Sequence, residues 1–118
     1  MSYQDCLSCK DAQATPAPAK GVCIVYDPAI QMPGTPTIQD RRIAAVSMAE
    51  AVMVEPHGVA DVMRGWRLSR EEVLVACWWA GRFGPRRFRV WRQWAEDAGS
   101  HLWYRCINIP DPPPQAAP

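Results

Sequence analysis

Nine arginines lie between residues 64 and 105, against only four acids, Glu71, Glu72, Glu96 and Asp97. All six tryptophans, at positions 66, 78, 79, 91, 94 and 103, fall in the same stretch. Arginine suits bidentate contact with phosphate, carboxylate or base edges better than lysine does. The densest run, Arg82 to Arg92, packs five arginines into eleven residues without an acid and interleaves them with Phe83, Phe88 and Trp91. Two chemistries fit it. One is a patch that tracks nucleic-acid phosphates with salt-dependent affinity. The other is the wet side of an amphipathic helix whose arginine stems cover aromatic faces. The total charge hides this half, because residues 5–61 are net −3, residues 64–105 net +5, and the chain as a whole only +1.

No catalytic set is apparent. His57 stands between Pro56 and Gly58, and His101 is isolated from any nucleophile. Glu71-Glu72 and Glu96-Asp97 are adjacent pairs, so each splits across different helix faces. A phosphate-cradling glycine loop is missing. The chain is therefore expected not to be an enzyme and to need no cofactor. Its five cysteines are at 6, 9, 23, 77 and 106. Cys6 and Cys9 form one C-x-x-C, and with Cys23 they hold a metal only if Cys106 or a histidine completes the set. A strong zinc signal needs two such pairs, so no metal is expected. Cys77 reads as a small core residue. The odd count, and a start that is not basic and then apolar, point to a reducing cytoplasm.

These groups must be held by something. At 118 residues, with 48% hydrophobic residues, the chain can build one modest domain. Its longest mostly apolar stretch, Ile43 to Val54, is too short for a membrane span. Val22 to Tyr26 is a β-rich run closed by Asp27-Pro28, expected to pair with a piece near Thr37 to Ile43. Two strands alone are marginal and must lean on helices or on a second subunit. Ala45, Met48, Ala49, Val52 and Met53 then fall at helical spacing. Val59, Val62, Met63 and Trp66 predict a second, short helix. Ser69-Arg70-Glu71-Glu72 is a capping box that opens a third. Its inner stripe is Val73, Ala76, Cys77 and Ala80, and Gly81 and Gly84-Pro85 end it. Pro85 opens a fourth, amphipathic helix with the apolar stripe Phe88, Trp91, Ala95, Ala98 and Leu102.

The expected fold is mainly α. It is a three-helix unit containing a helix-turn-helix, preceded by a two-stranded β element and followed by the fourth helix. Residues 1–20 are expected to be a flexible leader, 21–106 the domain, and 107–118 a Pro-rich tail. On the third helix the inner stripe leaves Arg70, Glu71, Val75, Trp79 and Arg82 on one outward face. Near the start of a recognition helix, Arg70 could grip guanine and Glu71 accept from cytosine. Arg64 and Arg67 sit on the incoming turn, where phosphate contacts usually lie, and Arg86, Arg87 and Arg89 would hold further phosphates. An outward Trp79 calls for a partner, either another subunit or DNA. In the alternative reading the chain is a protein-interaction module. Its anchors would then be Trp91, Trp94 and Trp103, because tryptophan and arginine dominate interface hot spots.

The order of motifs resembles a family. Val25-Tyr26-Asp27-Pro28-Ala29-Ile30, followed by Gly34-Thr35-Pro36-Thr37-Ile38-Gln39-Asp40-Arg41-Arg42-Ile43, is similar to the "DP-x-I … G-x-P-x-I-x-G-T-R-I" opening of the domain of unknown function 433 family. Gly58 to Met63 and Leu68 to Ala76 resemble that family's next two helices. The chain departs from the pattern at Met32-Pro33 and at Asp40-Arg41, where the family has Gly-Thr. The resemblance covers about residues 22–84 and implies a small homeodomain-like protein that binds double-stranded DNA. Many members are described as antitoxins that repress their own promoter and capture a PIN-like nuclease toxin. A homodimer, acting as antitoxin or repressor, is the expectation that follows.

Overall fold

Three short strands precede four helices. The computed structural model describes residues 22, 24–26, 36–38, 41–99, 102 and 108–114. The leader, with Cys6 and Cys9, lies outside the described residues, as do Cys23, His101, Trp103 and Cys106. The strands β1 (Ile24–Tyr26), β2 (Pro36–Ile38) and β3 (Ile43–Ala44) form one antiparallel sheet in that order. Ile24 faces Ile38 across the first pair, and Ile38 faces Ile43 across the second. The expected two-stranded element is thus three-stranded: Ile43 leaves the second strand and begins its own. Pro36 is tolerated in the middle strand because it is the first residue of it. Thr37, fully buried, is satisfied by donating from Oγ1 to the Val25 carbonyl at 3.3 Å.

Helices α1 (Ala45–Val54), α2 (Val59–Trp66) and α3 (Arg70–Phe83) follow where the spacing placed them. Ala45, Met48, Ala49 and Val52 are buried, as are Val59 and Val62, while Trp66 stays partly exposed. The turn from α2 to α3 is closed by Arg67 in the left-handed conformation, with φ 56°. It seats Leu68, whose N–H donates to the Met63 carbonyl at 3.0 Å and whose side chain is buried. Beyond α3 the expected fourth helix is broken in two. Residues Arg86–Trp91 form a 3-10 helix, and α4 (Arg92–Ala98) continues from it until Gly99 ends it with φ 52°. Its predicted stripe is nevertheless right, since Phe88, Trp91, Ala95, Ala98 and Leu102 are all buried.

Helix α3 is the centre of the molecule. Every residue from Glu72 to Gly81 is buried, and α1, α2, the 3-10 segment and α4 all pack against it. Its N-terminus carries the predicted capping box: Ser69 Oγ accepts from Glu72 N at 3.2 Å, and Glu72 Oε1 accepts from Ser69 N at 2.9 Å. The same carboxylate takes a two-pronged contact from Arg41 in the β2–β3 turn, Nε to Oε2 at 2.6 Å and Nη2 to Oε1 at 3.1 Å. One residue therefore caps the central helix and ties the sheet to it. Burial pushes the Glu72 carboxyl up, but the Arg41 guanidinium and the Ser69 hydrogen bonds outweigh it and hold the group below its usual range.

A carboxylate depressed in the folded state stabilises the fold above its ordinary value of 4.5, and that stabilisation is lost as pH falls through the lower folded value. Glu72→Gln is expected to cost about 1–2 kcal/mol at neutral pH, since Arg41 is half exposed and partly screened. Urea denaturation at pH 7 and across the acid range checks this. The wild type should lose more midpoint below pH 4.5 than the variant does.

Candidate interaction surface

The position of α3 changes what its residues can do. Val75 and Trp79 are not outward: their exposures are 0% and 9%. A helix with nine consecutive apolar or small residues, Val73 to Gly81, has no wet face to offer a groove. Trp79 is therefore core, and no partner is needed to explain it. Trp78 is fully buried as well, edge-on to Phe83 with ring centres 5.9 Å apart, and its indole N–H finds no partner among the described residues. Burial raises the Cys77 thiol well above its usual range, with Asp111 adding to the effect, so Cys77 is a neutral core side chain.

Two of the arginines expected on DNA at the α2–α3 turn are engaged by the protein itself. Arg64 pairs with Asp61 at 2.6 Å, and Arg70 pairs with Asp111 at 2.9 Å and also donates to the Ile109 carbonyl. Asp61 lies below the usual carboxylate range because it accepts from the His57 backbone N–H, with Arg64 adding to it. Glu71, beside Arg70, is half buried. Arg70 is thus a strut for the C-terminal segment rather than a side chain poised over a base.

The 3-10 segment sorts the basic run. With three residues per turn, side chains three apart eclipse. Phe88 and Trp91 take the inner edge and are buried, with ring centres 5.6 Å apart. Arg86 and Arg89 fall on an outer edge, spaced about 6 Å apart by the ~2 Å rise, and Arg92 continues it. Arg87 is drawn aside by Glu50 of α1 at 2.8 Å and lies over the Phe88 ring at 4.8 Å. Arg82 lies over Phe83 at 5.6 Å, and Arg92 pairs with Glu96 at 3.3 Å. Arg67, Arg86 and Arg89 are exposed and have no acidic partner among the described residues. They are the free positive groups of the expected set.

No protein-family model, curated protein or solved structure matches the chain.

The tryptophans expected as anchors divide. Trp91 is 1% exposed and belongs to the core, Trp94 is half buried, and Trp103 lies outside the described residues. The tail also departs from expectation. Residues 108–114 run along the body, with Pro112 buried, Trp91 Nε1 donating to the Pro113 carbonyl at 2.7 Å and Trp94 Nε1 donating to the Pro110 carbonyl at 3.0 Å. Prolines build no core themselves, but their carbonyls accept, and two indole N–H groups were waiting for acceptors. A groove of about 440 Å³ opens beside this segment, lined by Val90, Trp94, Ala98, Ile109, Pro110 and Pro113 among others. One signal in the sequence pointed here: Trp91 and Trp94 are three apart, and so are Pro110 and Pro113.

Gly81 holds the 3-10 segment against α3. It does not end the helix, which runs on to Phe83. A Cβ there would meet the Trp91 carbonyl oxygen at 2.8 Å and Trp91 Cβ at 2.9 Å. Gly81→Ala is expected to destabilise by about 1–3 kcal/mol, as overpacking of a tight contact does. Thermal or urea denaturation reads it, and a substitution that left stability unchanged would show the contact to be loose.

Proposed function

We propose that this chain is a non-catalytic protein that binds double-stranded DNA by its phosphates. Following the family resemblance, it acts as an antitoxin-type repressor at its own promoter, working as a homodimer and capturing a PIN-like nuclease toxin. The observation that carries the DNA reading is that Arg67, Arg86 and Arg89, of the arginines expected on DNA, are exposed and have no acidic partner among the described residues. In a chain of net charge +1, with five described arginines already paired to acids, such groups are the ones free to displace counterions. Arg64, Arg70 and Arg87, expected on DNA, are instead paired with Asp61, Asp111 and Glu50. Helix α3 does not lie in the major groove along its length, because its middle is interior. Base-edge contact is left to the start of α3, around Ser69 and Glu71, and most of the affinity is indifferent to sequence.

A second reading, a protein-interaction module, is favoured by the apolar groove beside Trp94. Among the described residues no helix is long and apolar enough to cross a membrane.

Fluorescence anisotropy with a random duplex separates the two. Under the DNA reading, affinity falls steeply between about 50 and 200 mM salt. Arg86→Ala and Arg89→Ala should each weaken all duplexes alike and reduce the salt slope by about 1. Arg70→Ala should leave duplex affinity unchanged. Absence of binding at the lowest salt would sink the DNA reading and leave the module.

A further inference from the structure

The C-terminal segment Ile109–Pro114 reads Ile-Pro-Asp-Pro-Pro-Pro, with prolines at 110, 112, 113 and 114. Proline fixes φ near −65° and favours the left-handed extended helix of three residues per turn. In that helix, carbonyls three residues apart face the same way. The two carbonyls used here, of Pro110 and Pro113, are three apart. Their donors, the indole N–H groups of Trp94 and Trp91, are also three apart and run in the opposite order. Two periods of three therefore meet in register. Arg70 adds a third point, gripping the Ile109 carbonyl and the Asp111 carboxylate, and sets the direction in which the segment lies. Aromatic side chains whose N–H groups meet the carbonyls of a proline helix are a general solution for binding such ligands, because a stiff ligand loses little entropy.

The site has room beyond its occupant. A groove of about 330 Å³ flanks the segment on the side of the α1–α2 turn, lined by Met53, His57 and Val59 among others. The groove beside Trp94 flanks the other side. The segment is held mainly at its edge contacts: Asp111, Pro113 and Pro114 are exposed and only Pro112 is buried.

We propose that Arg70, Trp91 and Trp94 form a binding site for proline-rich peptides, whose occupant in this chain is its own Ile109–Pro114 segment. A partner segment with an acid one residue after the first proline competes for the same contacts in trans. The intramolecular segment acts as a gate that lowers the apparent affinity for such a partner by the fraction of time it is bound. This holds whether or not the arginine surface binds DNA.

The test uses the full-length chain, labelled with nitrogen-15 and titrated with a capped peptide of the sequence of residues 108–115. A control peptide carries one glycine inserted after its aspartate, which puts the two carbonyls out of register. The indole N–H resonances of Trp91 and Trp94 are followed, the second assigned through Trp94→Phe. In Asp111→Ala, whose own segment is released part of the time, both should move toward their wild-type positions with the matched peptide and not with the control. Asp111→Ala frees the gate without touching the site, and should tighten peptide binding roughly two- to fivefold. Trp94→Phe removes one donor from a half-buried ring and should weaken binding while the fold persists. The proposal is overturned if neither resonance of Asp111→Ala moves at millimolar peptide. It is overturned equally if the control peptide shifts them as much. A concentration-dependent dimer of Asp111→Ala that the peptide fails to compete with would also overturn it, making a second copy the occupant.

Discussion

The burial of α3 on every side is the constraint from which the rest of the structure follows. A helix with no wet face must be surrounded, and a small domain surrounds it by wrapping. Helices α1 and α2 cover part of it, and the 3-10 segment and α4 cover another part. Charges on α3 are then confined to its ends. At the N-terminus, Glu72 is the buried exception, tolerated because Ser69 and Arg41 satisfy both carboxylate oxygens. Arg82, near the other end, finds a ring to lie over.

Because α3 is interior, the chemistry moves to the periphery. The arginines between Arg82 and Arg92 were one compositional run, and the 3-10 geometry divides it. Arg87 goes to Glu50, while Arg86 and Arg89 are left on an open edge. The division depends on the three-residue period. An α-helical turn of 3.6 residues would have rotated Arg86 and Arg89 progressively apart instead of eclipsing them. Gly81 is what lets that segment lie so close, since the Trp91 backbone occupies the space of a side chain.

The C-terminal segment shows how a stretch that cannot fold alone is ordered by a surface that needs acceptors. Two indole N–H groups, one in the core and one half covered, have no helical carbonyl to use. Proline carbonyls are free because a proline helix makes no internal hydrogen bonds. The pairing satisfies both partners, and the Asp111–Arg70 ion pair draws a charged side chain away from the solvent face on which a groove-reading residue would stand.

The sequence by itself determined the elements and much of the core. The capping box located the start of α3 to the residue, because its two hydrogen bonds are local. The stripes Ala45-Met48-Ala49-Val52 and Phe88-Trp91-Ala95-Ala98-Leu102 predicted inner faces, because burial enforces the helical period. The β-rich run near Val22 found its partner at Pro36–Ile38. Only the tertiary structure decided the rest. An amphipathic pattern places Val75 and Trp79 outward, but nine apolar or small residues in a row, Val73 to Gly81, make a buried rod. Glu72 promised a cap, but nothing local announced Arg41, thirty-one residues away. Arg70 and Asp111 are separated by forty-one residues, and composition alone labelled the second as tail. Local hydrogen bonds and periodicity are written along the chain. Which arginine meets which acid depends on the packing of elements far apart in it, and that packing decided which arginines remained free.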